Sequence, residues 1–200
     1  MRLFVALDID GEIRDRIAGF VSQVQELAPA VRWVSPESLH ITLKFIGEQS
    51  DAMLEQIEAS LASIQCGPFR LGLGGAGFFP TARAARVFWI GIKAEEGLAT
   101  LAETVEKSLA QIGIAKENRE FSPHLTLART RAGSGAPAWR KGDRPNRQFS
   151  ELQKFLEASP APEFGTMAAR EFFLYRSQLS PKGAQYTKMA RFELKSRSTI

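Results

Sequence analysis

Both histidines in the chain open the same tetrapeptide, His40-Ile41-Thr42-Leu43 and His124-Leu125-Thr126-Leu127. At average residue usage, a histidine is followed by x-Thr-Leu about once in 200 cases. Two occurrences from two histidines point to an old internal duplication. The motifs start 84 residues apart, at 40 and 124, which is nearly half of the 200-residue chain. Ser35-Pro36 precedes the first motif and Ser122-Pro123 the second, at different offsets. The expectation is one domain over residues 1–200, built of two lobes that each carry one motif strand.

Strand geometry limits what such a motif presents. Side chains alternate faces, so His40 and Thr42 share one face while Ile41 and Leu43 point to the other. His124 and Thr126 are set against Leu125 and Leu127 in the same way. Each lobe buries its aliphatic pair under helices and offers a His-Thr pair opposite. Two such faces turned together form a cleft with two imidazoles and two hydroxyls. One neutral imidazole activates a nucleophile, and one imidazolium protonates a leaving oxygen. Threonine hydroxyls donate to phosphoryl oxygens as charge develops there. This chemistry requires no metal, and two histidines with one cysteine are a poor zinc set.

Strand-like and helix-like segments alternate along the chain. Strands are expected at Arg2–Leu7, Val31–Val34, Leu39–Ile46, Phe69–Leu73, Arg86–Ile92 and His124–Arg129. Helical periods run through Gly11–Leu27, Asp51–Ile64 and Leu98–Ile112, with a shorter one at Gln148–Ala158. Glu171–Leu179 and Gln185–Leu194 read as a hairpin closed by Ser180-Pro181-Lys182-Gly183. The class is α+β, bilobal, with mainly antiparallel sheet, helices outside and a central cleft.

Gly72-Leu73-Gly74-Gly75-Ala76-Gly77 matches a dinucleotide fingerprint by letter. Phe78-Phe79-Pro80 follows where a helix would be needed, so a glycine-rich strand end and turn is expected instead. Hydrophobic content of 44% and charged content of 24% are those of a folded soluble chain. No apolar run approaches the length of a membrane span, and the N-terminus lacks the pattern of a signal peptide. A single cysteine, Cys66, suits a reducing cytoplasm. The net charge is +4, and the stretch 129–147 carries six basic residues against Asp143 alone. That stretch, with Trp139 inside it, is a candidate RNA contact whose plain alternative is a solvated loop. Lys44 lies on the His40 face by parity, or else is a strand-end charge reaching water.

The double motif resembles the 2H phosphoesterase superfamily, and its flanks resemble the RNA 2′,3′-cyclic phosphodiesterase branch, also called 2′-5′ RNA ligase. Arg2-Leu3-Phe4-Val5-Ala6 is similar to that branch's opening strand. Arg32-Trp33-Val34 with Leu39–Gly47 is similar to the first motif block, and Phe121–Arg129 to the second. Gly77–Pro80 with Arg86–Trp89 is similar to the central strand pair. Ser177, Leu179, Pro181, Gly183 and Tyr186 are similar to the closing hairpin. The resemblance implies two lobes related by pseudo-two-fold symmetry. It implies metal-free opening of a terminal RNA 2′,3′-cyclic phosphate to a 2′-phosphate, with 2′-5′ joining as the reverse. His40 would then be the proton donor, His124 the proton acceptor, and Thr42, Thr126 and Arg129 the phosphate contacts. No cofactor, metal or membrane is implied, and a monomer is expected. Strict alternation places Arg129 opposite His124, so it reaches the site only if the strand ends or bulges near Ala128, or if its long side chain wraps the edge. Two alternatives stand beside this reading. One is an enzyme of the same fold acting on a small cyclic nucleotide or another 2′-linked phosphate. The other is a non-catalytic RNA-binding module.

Overall fold

Alternate residues of the first strand, β1 (Arg2–Leu7), enter two different interiors. Leu3, Val5 and Leu7 join the main core, while Phe4 and Ala6 join a small second cluster with Phe173 and Tyr175. A strand apolar on both faces must be covered on both, and β1 lies inside the sheet. The computed structural model describes residues 1–130, 146–180 and 183–195. Most of the expected basic loop, with Trp139, lies outside the described residues.

After β1 the order is α1 (Gly11–Val24), β2 (Arg32–Trp33), β3 (Ile41–Glu48), α2 (Asp51–Ala62), β4 (Phe69–Phe79) and β5 (Val87–Ala94). Then follow α3 (Glu96–Gln111), β6 (His124–Arg129), α4 (Ser150–Glu157), β7 (Glu163–Ala169), β8 (Glu171–Ser180) and β9 (Gly183–Glu193). The molecule is therefore α+β, and its strand pairs are antiparallel. Helix faces follow the expected periods. Leu98, Leu101, Val105 and Leu109 of α3 are buried, as are Ile13, Ile17 and Val24 of α1. The α1 period ends in a short 3-10 turn, Gln25–Leu27, which completes the segment expected as one helix.

One sheet carries the order β7-β4-β5-β6-β3-β1-β8-β9, with β2 also on β6. Strand–helix–motif strand occurs twice, as β1-α1-β3 and as β5-α3-β6, with β8 outside β1 and β4 outside β5. The two motif strands meet at the centre in a single register pair, Ile41 with Leu125. That pair sits directly beside both histidines. Past it, β2 takes over the edge of β6, pairing Arg32 with Arg129 and Trp33 with Ala128.

The glycine run is not a strand end. β4 continues through it to Phe79, with a break in register between Leu73 and Ala76 and Gly75 at φ +68°. That positive φ is one that glycine adopts without strain, so the extra residue is absorbed and the strand goes on. β7 had no counterpart among the expected strands. Its sequence, Glu-Phe-Gly-Thr-Met-Ala-Ala, has few β-branched residues, and pairing with β4 decides its structure.

Candidate active site

Each histidine ring is held from behind by its own chain. His40 Nδ1 donates to the Ser38 carbonyl at 2.7 Å, and His124 Nδ1 donates to the Ser122 carbonyl at 2.8 Å. A carbonyl only accepts, so Nδ1 carries the proton in both rings and Nε2 is left for chemistry. Serine stands two residues before each histidine, a closer internal match than the Ser-Pro pairs. The bond uses backbone oxygen, however, so no residue type demands it.

Beyond the threonines, both motif strands break step at the same position. Along β1, Ala6 pairs with Thr42 and Val5 with Lys44, leaving Leu43 as the extra residue. Along β5, Trp89 pairs with Thr126 and Phe88 with Ala128, leaving Leu127 as the extra residue. A bulge of one residue resets the alternation of faces. It turns Arg129 back toward the His124 face, where Nη2 donates to Thr126 Oγ1 at 3.2 Å.

The matching bulge in β3 corrects the expected place of Lys44. Its side chain turns away from the His40 face into the core, fully buried. There Nζ donates to Glu106 Oε2 at 2.8 Å and to the Ala115 carbonyl at 2.9 Å. Phe45 takes the site face instead, 44% exposed, with its ring 6.2 Å from that of Phe4. Its backbone N–H donates to Glu117 Oε1 at 3.2 Å. Phe45 and Arg129 are thus equivalent residues of the two repeats, each five after its histidine.

The Ile41–Leu125 register pair sets the two histidines close together across the sheet, and His40 feels the charges of the other motif. Burial depresses the His40 pKa to about 4, against upward pulls from the Ser38 hydrogen bond and the Asp8 charge. The charges of Arg129 and His124 push it further down. Burial also lowers His124, again with Arg129 adding to the effect. Arg129 acts on both rings, so all three groups lie within electrostatic reach of one another. Burial lowers Arg129 itself, and Tyr186 nearby partly offsets this. Thr42 and Thr126 are half-buried on the strands between.

Aromatic rings line both sides. His40 lies 4.8 Å from Phe4 and 5.0 Å from Tyr186, the latter edge-on. His124 lies 5.0 Å from Phe79 and 6.5 Å from Trp89. Beside His40 opens a cavity of about 630 Å³ lined by Asp8, Arg14, Ser38, Tyr175, Tyr186 and Lys188. Burial pushes the Asp8 carboxyl up, but hydrogen bonds from Lys188 and Arg14 outweigh it and hold Asp8 below the usual range. Sequence reasoning found neither Tyr175 nor the Phe79–Trp89 pair as site residues. Parity along β8 marks Phe173 and Tyr175 as one face, but only the sheet order brings that face to β1. Among the described residues, no three His, Cys, Asp or Glu side chains gather as metal ligands.

Comparisons with known proteins show the family. The family described as LigT-like phosphoesterase matches residues 7–89 and again 90–186, so each match carries one motif. An Archaeoglobus fulgidus protein named RNA 2′,3′-cyclic phosphodiesterase is 34% identical over 193 residues, covering 96% of this chain and 100% of the relative. A Methanothermobacter thermautotrophicus protein of the same name is 33% identical, covering 97% of this chain and 99% of the relative. The crystal structure of Escherichia coli LigT complexed with 3′-AMP superposes with a TM-score of 0.74 at 29% identity, over 96% of this chain and 97% of the other. On the family matches and the full-length relatives, the chain belongs to the LigT-like phosphoesterase family.

Proposed function

We propose that the chain hydrolyses terminal 2′,3′-cyclic phosphates of RNA to 2′-phosphates, by two-histidine acid–base catalysis without a metal. One observation carries the reading: two imidazoles backed identically through Nδ1 lie within electrostatic reach of each other and of one guanidinium. The names of the full-length relatives support the substrate. In the forward step, His124 Nε2 takes a proton from water as its oxygen bonds to phosphorus. The P–O3′ bond breaks, and His40 Nε2 gives its proton to the departing O3′. Arg129 holds the phosphoryl oxygens by charge-assisted hydrogen bonds. The Thr126 oxygen accepts from Arg129, which leaves its own hydroxyl proton for the phosphate. Thr42 offers the same from the other strand. Joining to a 5′-hydroxyl is the same displacement with that hydroxyl in place of water: His124 takes its proton, P–O5′ forms, P–O3′ breaks, and His40 protonates O3′ to leave a 2′-5′ linkage.

Both rings prefer the neutral form in the empty cleft, yet the mechanism needs one of them charged. A bound phosphodiester anion favours the charged forms, while each ring's charge opposes that of the other, so one proton is held by the pair. The cavity beside His40 has the size of a small-ligand site, and this favours, as a second reading, a small cyclic nucleotide as substrate. We take residues 1–200 as one domain of duplicated halves, acting as a monomer on RNA in the cytoplasm. Among the described residues, no helix is long and apolar enough to cross a membrane.

The test is turnover of an RNA ending in a 2′,3′-cyclic phosphate, in excess EDTA, with the product end determined. A 2′-phosphate product and unchanged rate under chelation are expected. A 3′-phosphate product, or a rate lost to EDTA and restored by one divalent ion, overturns the mechanism.

A further inference from the structure

Trp89 is the direct register partner of Thr126 on one side and of Gly77 on the other. A Cβ on Gly77 would lie 2.3 Å from the indole, so the indole lies against bare backbone there. Glycine at this strand position removes a side chain from the floor of the sheet and lets the large ring lie down on it. Phe79 sits 5.0 Å from the indole at an interplanar angle of 32°, and its ring meets His124 edge-on. Trp89 remains half-exposed. Among the described residues its Nε1 is buried with no hydrogen-bond partner. Phenylalanine would fill such a place without leaving a donor unpaired, so packing alone does not call for an indole.

The ring thus stands beside the Thr126–Arg129 contact, on the side of the cleft away from the His40 cavity. A partly exposed aromatic ring next to a guanidinium is a combination that holds single-stranded nucleic acid. The ring stacks a base while the cation holds a phosphate. The His40 cavity has room for one nucleoside, so a second nucleoside of the same strand falls to the Trp89 side.

Resting on the proposed reaction at cyclic-phosphate ends, we propose that Trp89 and Phe79 form a stacking subsite for the base of the nucleotide next to the RNA terminus. The subsite makes the enzyme prefer an oligonucleotide end to a mononucleotide. Trp89 touches neither the phosphate nor the attacking water in this scheme; it raises occupancy by the longer substrate.

The experiment compares kcat/KM for a trinucleotide and a mononucleotide, both ending in a 2′,3′-cyclic phosphate. The wild-type ratio is expected to exceed unity by about 10-fold or more. Trp89→Ala is expected to collapse that ratio toward one through KM, and Trp89→Phe to restore most of it. A wild-type ratio near one, or equal losses on both substrates in Trp89→Ala, overturns the subsite. Equal losses would place the terminal base, or only the structure of the site, at Trp89. Calorimetric binding of a dinucleotide and a mononucleotide, each with a 2′-phosphate, gives the same comparison without turnover. A wild-type protein inert on both cyclic substrates defeats the proposed reaction. In that case a dinucleotide preference abolished by Trp89→Ala still upholds the subsite, and no preference defeats it too.

Discussion

The half of the sheet around β3 and the half around β6 hold their imidazoles alike and differ five residues further on. In both, the ring is anchored through Nδ1 to the carbonyl two residues back, and the strand bulges at the leucine. The bulge then delivers Phe45 to the site face in one half and Arg129 in the other. Lys44, one residue earlier, is a buried cation; its equivalent, Ala128, is a buried methyl group. The two halves keep the same imidazole anchoring and differ beyond it. One presents a guanidinium on the site face, and the other an apolar ring and a buried ion pair between β3 and α3.

The largest expected effect tests the part of the comparison that is equal. On the proposed mechanism, His40→Ala and His124→Ala are each expected to lower turnover by about 10²–10⁴ with folding retained, as for loss of a general acid or base. Circular dichroism and single-turnover rates on a cyclic-phosphate RNA decide it. Near wild-type turnover in either variant breaks the symmetry of the mechanism.

The next test exploits the inequality at the bulge. Lys44→Ala leaves Glu106 facing a cavity where its buried partner stood, and a broken buried pair costs about 3–5 kcal/mol. Denaturant unfolding measures this. Ala128→Gly, the corresponding truncation in the other half, is expected to cost less, near the 1 kcal/mol typical of glycine in a regular element. Equal losses would mean that the ion pair contributes nothing beyond filling space.

The smallest effect sharpens the electrostatic asymmetry. Arg129→Met removes a charge-assisted contact to the phosphate, for a loss in kcat/KM of about 10- to 100-fold. It also removes a charge that lowers both imidazoles. The free-enzyme groups that govern kcat/KM therefore titrate at higher pH in the variant. Both limbs of a bell-shaped profile, held below the ordinary histidine value of about 6.5 by burial and by Arg129, are expected to move toward neutrality. Phe45→Met is expected to leave the limbs in place. A profile unmoved by Arg129→Met would place that guanidinium outside the histidine field.

Most of the helices and the motif strands were legible because their signals are local. A period of 3.6 marks α1, α2 and α3, a short continuous apolar run marks β1, and alternation marks β6. What escaped depends on neighbours. The extra residues at Leu43 and Leu127 leave no trace in composition, yet they decide that Lys44 is buried and that Arg129 faces the cleft. Parity alone misplaced Lys44. It gave Arg129 only conditionally, naming the bulge among the conditions. β7 and the far half of β4 are glycine- and alanine-rich strands made by pairing rather than by propensity. The second aromatic wall escaped because Gly77, Phe79 and Trp89 meet only when β4 folds onto β5.

The carbonyl behind each imidazole carries no formal charge. A ring backed by a carboxylate gains basicity and keeps the proton it captures, as metal-ligating and triad histidines show. A ring backed by a neutral oxygen has its orientation fixed without that bias. Its proton affinity is then set by burial and by the neighbouring charges, which lower it in both rings. On the proposed mechanism, the backing itself, being the same on both sides, commits neither ring to a single role. The group that approaches the phosphate, water or a ribose hydroxyl, then assigns the roles and sets the direction in which the bond is made or broken.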